Sequence, residues 1–541
     1  MKIQSFGAAR TVTGSCHIVQ KNGVKVMIDC GLFQGKDEES KNSDLGFNPE
    51  EIDYLILTHA HLDHCGRIPM LIKGGFKGKI YCTKPTFQLA RLIMLDTAKI
   101  MLEDYKHNLK RRLRYNPKKA TEENILNSNK SDKAYINSEK FQTTHHHTAY
   151  TANRFTHETN YGNHHDYDKH NHHTAAAHSI NIDKSKNTEN EGSKNEYNFN
   201  AELLYNEIDV FESLDHFNPI LAYNTPFVID EKHNIAVEIQ DAGHILGSSF
   251  VKLTIGNKSA IFSGDLGNKN KPIVNNFSYP DEADAVYIET TYGDRLHKSF
   301  DDSKVELLNI IQKTINSGGN VLIPSYAMER TQDILYVLKE FYKSGELPKC
   351  KIFLDSPLAI NITDIFLRNP EYFRKDELRL FTNNNPFEMP NLTETRDIEE
   401  SKEINKFSEG AIIIAGSGML TGGRMLHHLK HNLWRKENSI IFIGYQARGT
   451  LGRRIVEGNK TIKVFGEHID VNASVHTING FSSHADQNEL IEWLSALKNR
   501  IKTKICLIHG DDDKMEIFKE KITPLGFNAY IPSYAEEITI K

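Results

Sequence analysis

The sequence lacks the features of membrane-spanning, secreted and disulfide-bonded proteins. Its mean hydropathy is -0.50, and no apolar run reaches the ~18 residues that a membrane helix needs. The N-terminus has no continuous apolar segment and no small-residue cleavage site, so no secretory signal is predicted. The six cysteines are dispersed without a C-x-x-C pair, which favours a reducing compartment. We therefore expect a cytoplasmic protein that does not bind membranes.

The sequence also lacks a strong excess of charge of either sign. Lys and Arg total 66 against 71 for Asp and Glu, a net charge of -5. No global basic field therefore indicates nucleic-acid binding, although a local basic groove is compatible with this composition. A length of 541 residues exceeds one ordinary domain and predicts two or three.

One long segment has few apolar residues. Between residues 141 and 200 only five side chains are Ile, Leu, Val, Met or Phe, whereas ten are His and ten are Asn. Such a segment cannot bury enough apolar surface to offset its ordering entropy, so residues 115–200 are predicted to form a disordered or loosely ordered insert. Metal buffering by its histidines is one interpretation, but we favour a tolerated low-complexity expansion.

The rest of the chain alternates strand and helix patterns. Short β-runs separated by Gly-rich turns occupy the first 110 residues, and apolar spacing predicts a helix over residues 85–102. A short acidic helix begins near residue 201, and four strands follow between residues 236 and 288. From about 300 to 470, buried-type runs alternate with helices, which is the βαβ pattern of a parallel sheet. A last strand is predicted at Lys504–Ile508.

The most informative motif is THAHLDH, residues 58–64, directly after an apolar run. Polar residues that end a strand lie at its carboxyl edge, where ligand sites of α/β proteins gather. His59 and His61 point the same way in extended chain, and after a turn Asp63 and His64 can address a second point. This motif therefore indicates two adjacent cations, and its imidazoles and carboxylate suit zinc, manganese or iron.

The same pattern of a strand followed by a ligand-type residue beside glycine recurs at His244, Asp265 and His509. Each alone is weak evidence, but together they complete two sets of ligands, and the two oxygens of Asp265 allow it to bridge them. Asp29 is better explained as a carboxylate that fixes a ligand or loop. No cysteine stands at a ligand spacing, as a closed structural zinc site would require. An open two-metal site activates water for attack on phosphorus or carbonyl centres, so a hydrolase is predicted.

The H-x-H-x-D-H motif with its later ligands resembles the metallo-β-lactamase fold. IETTYGDR (288–295), FSSHAD (481–486) and LIHG (507–510) resemble motifs A, B and C of the β-CASP nucleases within that fold. The resemblance covers nearly all the chain outside the insert. It implies an α/β protein: an αββα metallo-β-lactamase sandwich with an inserted parallel-sheet β-CASP domain. The implied boundaries are 1–295 for the first part of the sandwich, 296–480 for the β-CASP domain and 481–541 for the remainder.

The resemblance also implies two zinc ions, with manganese as a possible replacement. The first is bound by His59, His61 and His244, the second by Asp63, His64 and His509, and Asp265 bridges both. His484 is the implied general acid, oriented by Glu289, and Asp63 belongs to the catalytic set as well. A carboxylate partner would fix the tautomer of His484 and raise its pKa. Without the resemblance, His484 is more simply a polar residue at a helix start.

The implied substrate is single-stranded RNA, cleaved from an end or internally by hydroxide activated at the two metals, to leave a 5′-phosphate and a 3′-hydroxyl. Gly-rich loops offer backbone N–H groups to phosphates. The predicted substrate-binding residues lie in or near these loops: Ser325, Gly418, Arg424, Arg448, Gly449 and Thr450. The alternatives are a DNA-directed nuclease, a lactone or thioester hydrolase and a non-catalytic RNA-binding subunit. A homodimer is also implied.

Overall fold

The computed structural model describes residues 1–35, 38–115, 203–375, 385–444, 446–447 and 449–541. The predicted insert at residues 115–200 lies outside the described residues except for Tyr115, and Arg448 also lies outside them. The chain divides into two compact units, Met1–Leu102 with Leu204–Lys541, and Glu103–Leu203. The first unit contains all the strands given below.

The strands lie between residues 2 and 539. They are β1 (Lys2–Ser5), β2 (His17–Lys21), β3 (Val24–Ile28), β4 (Tyr54–Ile56), β5 (Lys79–Tyr81), β6 (Phe217–Asn218), β7 (Phe227–Asp230), β8 (Ile235–Asp241), β9 (Ser249–Ile255), β10 (Lys258–Phe262), β11 (Ala285–Glu289), β12 (Val321–Pro324), β13 (Lys351–Asp355), β14 (Leu392–Glu394), β15 (Ala411–Ala415), β16 (Ser439–Ile443), β17 (Thr461–Val464), β18 (Glu467–Asp470), β19 (Ser474–Ile478), β20 (Lys504–Ile508), β21 (Asn528–Tyr530) and β22 (Glu537–Thr539).

The α-helices of the described residues vary from one turn to 32 residues. They are α1 (Leu62–Cys65), α2 (Ile68–Lys73), α3 (Lys84–Tyr115), α4 (Glu207–Leu214), α5 (Phe300–Asn316), α6 (Arg330–Ser344), α7 (Pro357–Arg368), α8 (Ile398–Ile404), α9 (Met425–Asn432), α10 (Leu451–Val456), α11 (Gln487–Ser495) and α12 (Asp512–Ile522). None of the described helices is long and apolar enough to cross a membrane.

Two seven-stranded mixed sheets form a sandwich. Their strand orders are β22-β1-β2-β3-β4-β5-β6 and β21-β20-β11-β10-β9-β8-β7. Successive side chains of a strand point to opposite faces, so in β4 Ile56 packs between the sheets and Leu55 packs outward. Helices cover both outer faces, for example α2 through Leu71 and α11 through Trp493. This arrangement confirms the predicted αββα sandwich.

The third sheet has six parallel strands in the order β14-β13-β15-β12-β16-β19. The strands β12, β15 and β16 are buried along their whole length, because helices pack on both faces. Leu335 of α6 lies on one side and Leu429 of α9 on the other. All six strands lie in the chain between β11 and β20, which are neighbours in the sandwich. The predicted inserted parallel sheet is therefore present.

Two predicted helices have different limits in the structure. The helix expected over residues 85–102 begins at Lys84 and continues to Tyr115, because residues 103–115 contain no Pro or Gly to end it. The acidic helix expected near residue 201 begins at Glu207. The Asn206 side chain accepts hydrogen bonds from the N–H groups of Ile208 and Asp209, which fixes that start. All six cysteines are buried and free.

Candidate metal centre and active site

The predicted metal ligands and catalytic side chains lie together where strands of both sandwich sheets end. The pair β10 and β11 and the pair β11 and β20 are parallel, so their carboxyl ends share one edge. Asp265 follows β10, Glu289 ends β11 and His509 follows β20. His59 and His61 follow β4 of the facing sheet, and His244 follows β8.

The first ligand-type cluster consists of His59, His61, His244 and Asp265. The His61 Nδ1 atom lies 3.1 Å from His59 Nε2 and 3.1 Å from His244 Nε2. The Asp265 Oδ2 atom is 3.4 Å from His59 Nε2 and 3.5 Å from His244 Nε2. Four donor atoms from three separate segments of the chain thus converge on one point.

The second cluster consists of Asp63, His64 and His509, with the other oxygen of Asp265. The His509 Nε2 atom is 3.3 Å from His64 Nε2 and 3.4 Å from Asp63 Oδ2. The Asp265 Oδ1 atom is 3.3 Å from His64 Nε2. The two oxygens of Asp265 therefore face different clusters, which is the geometry expected of a bridging carboxylate.

Neighbouring groups fix the imidazole rings through their Nδ1 nitrogens. The Nδ1 atom of His64 is 2.7 Å from Asp29 Oδ2, and Asp29 also accepts hydrogen bonds from the backbone and hydroxyl of Thr58. Similar contacts orient the other three: Thr58 Oγ1 with His59 Nδ1 at 3.0 Å, the Ser483 carbonyl with His244 Nδ1 at 3.0 Å, and Thr291 Oγ1 with His509 Nδ1 at 3.1 Å. Such contacts set the tautomer and ring direction of a metal-binding histidine.

The sequence reasoning predicted a supporting role for Asp29 but missed the roles of Ser483 and Thr291. Both missed residues lie inside the motifs FSSHAD and IETTYGDR. The nearby residues His484 and Glu289 were predicted as functional because imidazole and carboxylate side chains can hold or transfer a proton. A carbonyl oxygen such as that of Ser483 leaves no residue-type signal in a sequence.

Burial and charge set the protonation of the clustered side chains. Burial lowers the pKa of His61 to about 3 and also lowers the pKa of His59 and His244, so these rings are neutral and can act as ligands. For Asp265, burial raises the pKa, but His509 and His64 outweigh it and hold the pKa well below its usual range. Burial lowers the pKa of His64, but Asp265 and Asp29 together outweigh burial and raise the pKa well above its ordinary value. Carboxylates that favour a proton there also favour a divalent cation.

The donor set fits zinc. Zn–N bonds of ~2.0–2.1 Å in a tetrahedral shell place ligand atoms about 3.3 Å apart, and the contacts within both clusters span 3.1–3.5 Å. The Asp265 Oδ1 atom is buried and meets no hydrogen-bond donor among the described residues. A buried carboxylate oxygen without a donor is costly, and a cation would satisfy it.

His484 and Glu289 form a pair beside the first cluster. The His484 Nδ1 atom is 3.2 Å from Glu289 Oε1, and its ring centroid is 4.5 Å from that of His244. The side chain of His484 is 22% exposed, whereas that of Glu289 is fully buried. Burial lowers the pKa of His484, but the Glu289 carboxylate outweighs it and raises the pKa above its ordinary value.

Glu289 is itself held by backbone groups. Its Oε1 atom accepts a hydrogen bond of 2.7 Å from Leu266 N, and Oε2 accepts one of 3.2 Å from Thr291 N. These donors fix the carboxylate that faces His484. The structure therefore brings together all seven predicted ligands and the predicted catalytic pair.

The predicted substrate-binding residues lie in a different part of the chain, in the loops after β12, β15 and β16. Ser325 is buried, and its hydroxyl accepts a hydrogen bond of 3.0 Å from Thr331 Oγ1. Gly418 packs against the ring of Tyr326, where a Cβ atom would come within 2.9 Å. Thr450 caps α10 by accepting a hydrogen bond of 3.2 Å from Arg453 N. Gly449 lies beside it with a left-handed φ of +82° and no atom within 4 Å of a Cβ position.

Arg424 makes specific contacts within the protein. Its Nη1 atom donates to Asp355 Oδ1 at 2.7 Å, and Nη2 donates to the Arg396 carbonyl at 2.8 Å. These bonds fasten the loop over residues 416–424 to the end of β13. A phosphate contact by Arg424 stays a prediction.

Three family models match the chain. They are the metallo-β-lactamase superfamily over residues 9–150, the β-CASP domain over residues 331–455 and the Zn-dependent metallo-hydrolase RNA specificity domain over residues 468–532. Two relatives align over the full length of the chain. Ribonuclease TTHA0252 of Thermus thermophilus is 32% identical, with 100% of its own length covered. Transcription termination factor FttA of Methanocaldococcus jannaschii is 28% identical, with 72% of its length covered.

These matches agree with the αββα sandwich, the inserted parallel sheet and the histidine and aspartate clusters at the strand ends. They also confirm the resemblance drawn from the sequence motifs. The chain belongs to the β-CASP ribonucleases, hydrolases of the metallo-β-lactamase superfamily.

Proposed function

We propose that this ribonuclease is a two-zinc enzyme that hydrolyses the phosphodiester bonds of single-stranded RNA. His59, His61 and His244 would hold one ion and Asp63, His64 and His509 the other, with Asp265 shared between them. The observation that carries the proposal is the placement of the Asp265 oxygens, each within 3.5 Å of a separate set of imidazole nitrogens. Manganese has compatible ligand preferences and is the alternative ion.

When bound, the two ions supply an activated water and neutralise charge on the phosphate. The chain's own residues supply position and proton control. Asp29, Thr58, Thr291 and the Ser483 carbonyl hold the ligand rings in place. Asp29 and Thr58 are buried, Thr291 is half-buried and the fourth partner is a backbone carbonyl, so the ligand geometry is set before the substrate arrives.

His484 is the proposed general acid. Its Nδ1 faces the buried Glu289 carboxylate, so a proton is held there and Nε2 is the nitrogen that can donate to the leaving oxygen. The partial exposure of His484 lets the substrate reach it. Departure of a protonated 3′-oxygen gives a product with a 3′-hydroxyl and a second product with a 5′-phosphate.

The RNA specificity domain model and the relative named as a ribonuclease favour RNA over DNA as the substrate. A lactone or thioester hydrolase has no use for a second domain inserted beside the metal centre, so it is the weaker alternative. A non-catalytic RNA-binding subunit does not explain seven converging ligand residues. The loops at residues 416–423 and 444–452 are the proposed contacts for the strand, including Ser325, Gly418, Arg424, Arg448, Gly449 and Thr450.

The test compares the wild type with Asp265→Asn and His484→Ala on single-stranded RNA and DNA labelled at the 5′ end or internally. Asp265→Asn should lose bound zinc and activity together, because it removes the shared ligand charge. His484→Ala should keep its zinc but lose about 10²- to 10⁴-fold in rate. Release of labelled mononucleotide or of longer fragments decides between cleavage from an end and internal cleavage.

His468→Ala is a matched control, because His468 is exposed on β18 and should leave zinc content and rate unchanged. Turnover by both site variants at the wild-type rate would refute the mechanism. Faster cleavage of DNA than of RNA would refute the substrate. The proposed homodimer is checked separately by the mass of the purified chain in light scattering.

A further inference from the structure

Arg330 carries a buried guanidinium that is short of hydrogen-bond acceptors. The residue begins α6 and is only 8% exposed, yet its Nε and Nη1 atoms meet no acceptor among the described residues. An arginine stays charged in proteins and offers five N–H donors. Leaving such donors buried and unpaired is costly, so this position indicates an acceptor that comes from outside the protein.

The residue before Arg330 is Glu329, which accepts a hydrogen bond of 3.3 Å from Leu246 N, two residues after the candidate ligand His244. The Arg330 guanidinium interacts electrostatically with Asp333 first, then with Tyr292, Tyr326 and Glu329, and also with His297. The ring centroid of Tyr292 is 4.5 Å from that of His297 and 6.1 Å from that of His484. Tyr292 therefore lies near the proposed general acid and within electrostatic reach of Arg330.

The edge of the guanidinium faces a glycine in one of the Gly-rich loops. A Cβ atom placed on Gly444 would lie 3.9 Å from Arg330 Nη2. Glycine has no side chain to extend toward that edge. In the other Gly-rich loop, Gly418 packs against Tyr326, which is 39% exposed.

The nearby carboxylates contact a different cation. Glu329 Oε1 is 3.2 Å and Asp333 Oδ2 is 3.5 Å from Lys271 Nζ, and Glu329 Oε2 accepts a hydrogen bond from Leu246 N. Lys271 also donates to the His244 carbonyl at 3.2 Å. This cluster joins α6 to the loop that carries His244. Arg330 makes no hydrogen bond to either carboxylate, although Asp333 interacts with its guanidinium electrostatically.

We propose that Arg330 binds a backbone phosphate of the RNA strand beside the bond that is cleaved. A guanidinium can contact two phosphate oxygens at once, and the N-terminal N–H groups of α6, a 15-residue helix, favour an anion at the same end. The inference rests on the proposed function, and it assigns to the substrate a residue for which the sequence motifs gave no role.

The test measures equilibrium binding of a fluorescent single-stranded RNA 12-mer over a range of salt concentrations. His484→Ala serves as the background for every variant, and gels verify that the RNA stays intact. Arg330→Met should weaken binding about 10- to 100-fold and reduce the slope of log Kd against log salt by about 0.7, the value for one phosphate contact on a single strand. Arg330→Lys should keep the slope but lose affinity, because a lysine cannot make the two-point contact.

Two further variants separate phosphate binding from internal charge balance. If Arg330 only balances Asp333, the double variant Arg330→Met with Asp333→Asn should regain the affinity and slope of the background protein, and the proposal fails. If Arg330 contacts phosphate, the double variant stays as weak as Arg330→Met. Arg500→Met removes an exposed arginine and should change neither quantity.

Thermal unfolding and zinc content show whether each variant is folded. Arg330→Lys is decisive if Arg330→Met does not fold, because unchanged affinity in a folded lysine variant also overturns the proposal. The test measures RNA binding and not cleavage. If His484→Ala still cleaved RNA, the proposed general acid would be refuted, but the binding data would still decide the role of Arg330.

Discussion

Asp355 is the buried carboxylate on which several loops of the parallel-sheet domain converge. It ends β13 with its side chain fully buried. It contacts His428 Nε2 at 2.7 Å and Arg424 Nη1 at 2.7 Å, and it accepts hydrogen bonds of 2.6 Å from Thr395 and Ser401. Burial alone would raise its pKa, but the bond from His428 and those from Ser401, Thr395 and Arg424 outweigh burial and hold the pKa well below its usual range.

Asp355→Asn should destabilise the protein at neutral pH by about 3–5 kcal/mol, since it breaks a buried ion pair and leaves Arg424 without its partner. The folded-state pKa is lowered, so this stabilisation is present above the unfolded pKa of about 3.9 and is lost as pH falls below it. Urea denaturation from pH 3 to pH 8 measures the difference in the free energy of unfolding between wild type and variant. This difference should be constant above pH ~5 and should become smaller in acid.

The control for this prediction is Asp364→Asn. Asp364 makes an exposed ion pair of 3.6 Å with Arg396, and such a pair is worth roughly 0–1 kcal/mol. If Asp355→Asn unfolded at the same urea concentration as the wild type at pH 7, the buried hydrogen bonds of Asp355 would contribute no net stability.

At the scale of elements, the sequence predicted the strands that bury most of their residues. The runs in β12, β15 and β16 are apolar throughout, so their pattern alone identified them. The strands β1 and β22 were missed because each is short and mostly polar, and they pair with each other across the whole chain, Lys2 with Thr539. Nothing local in either segment signals that partner. Arg330 was missed for a related reason. It is the first residue of α6, and its burial depends on loops that are distant in the sequence.

The loop after β3 illustrates how backbone packing holds the second ligand cluster. Ser15 N donates to the Asp63 carbonyl and Cys30 N donates to the His64 carbonyl, both at 2.8 Å. Gly31 lies against the same segment, and a Cβ atom there would come within 1.5 Å of the Asp63 carbonyl oxygen. Only glycine allows this approach, because both contacting groups are backbone.

Gly31→Ala should therefore displace Asp63 and His64, cost about 1–3 kcal/mol in stability and lower zinc binding at the second cluster. For the proposed two-zinc centre, zinc per chain by elemental analysis should fall from two toward one, while the first cluster keeps its ion. Gly23→Asn is the matched control, since Gly23 has a left-handed φ of +82° and open space around it, and asparagine tolerates that conformation. Full zinc content in Gly31→Ala would show that the loop accommodates the methyl group.

For the whole molecule, the inserted sheet separates strands that are neighbours in the sandwich. The strands β11 and β20 pair in parallel from Ala285 with Lys504 to Glu289 with Ile508. Asp265 therefore precedes the insertion in the chain and His509 follows it, although both face the same cluster. The metal centre can form only after the chain has closed this long loop, so we expect zinc binding to report complete folding of the sandwich.

The candidate ligands and the catalytic pair fall outside the histidine-rich segment. His59, His61, Asp63 and His64 precede it, and the others lie at residue 244 and beyond. Deleting residues 141–200 should thus leave two zinc ions per chain and change kcat/KM by no more than about twofold. Metal buffering by the ten histidines predicts a different result. At excess zinc in equilibrium dialysis, the full chain would then bind several more ions than the deletion variant. Equal zinc uptake by both chains would dismiss buffering, and loss of the two tightly bound ions in the variant would contradict the placement of the metal centre.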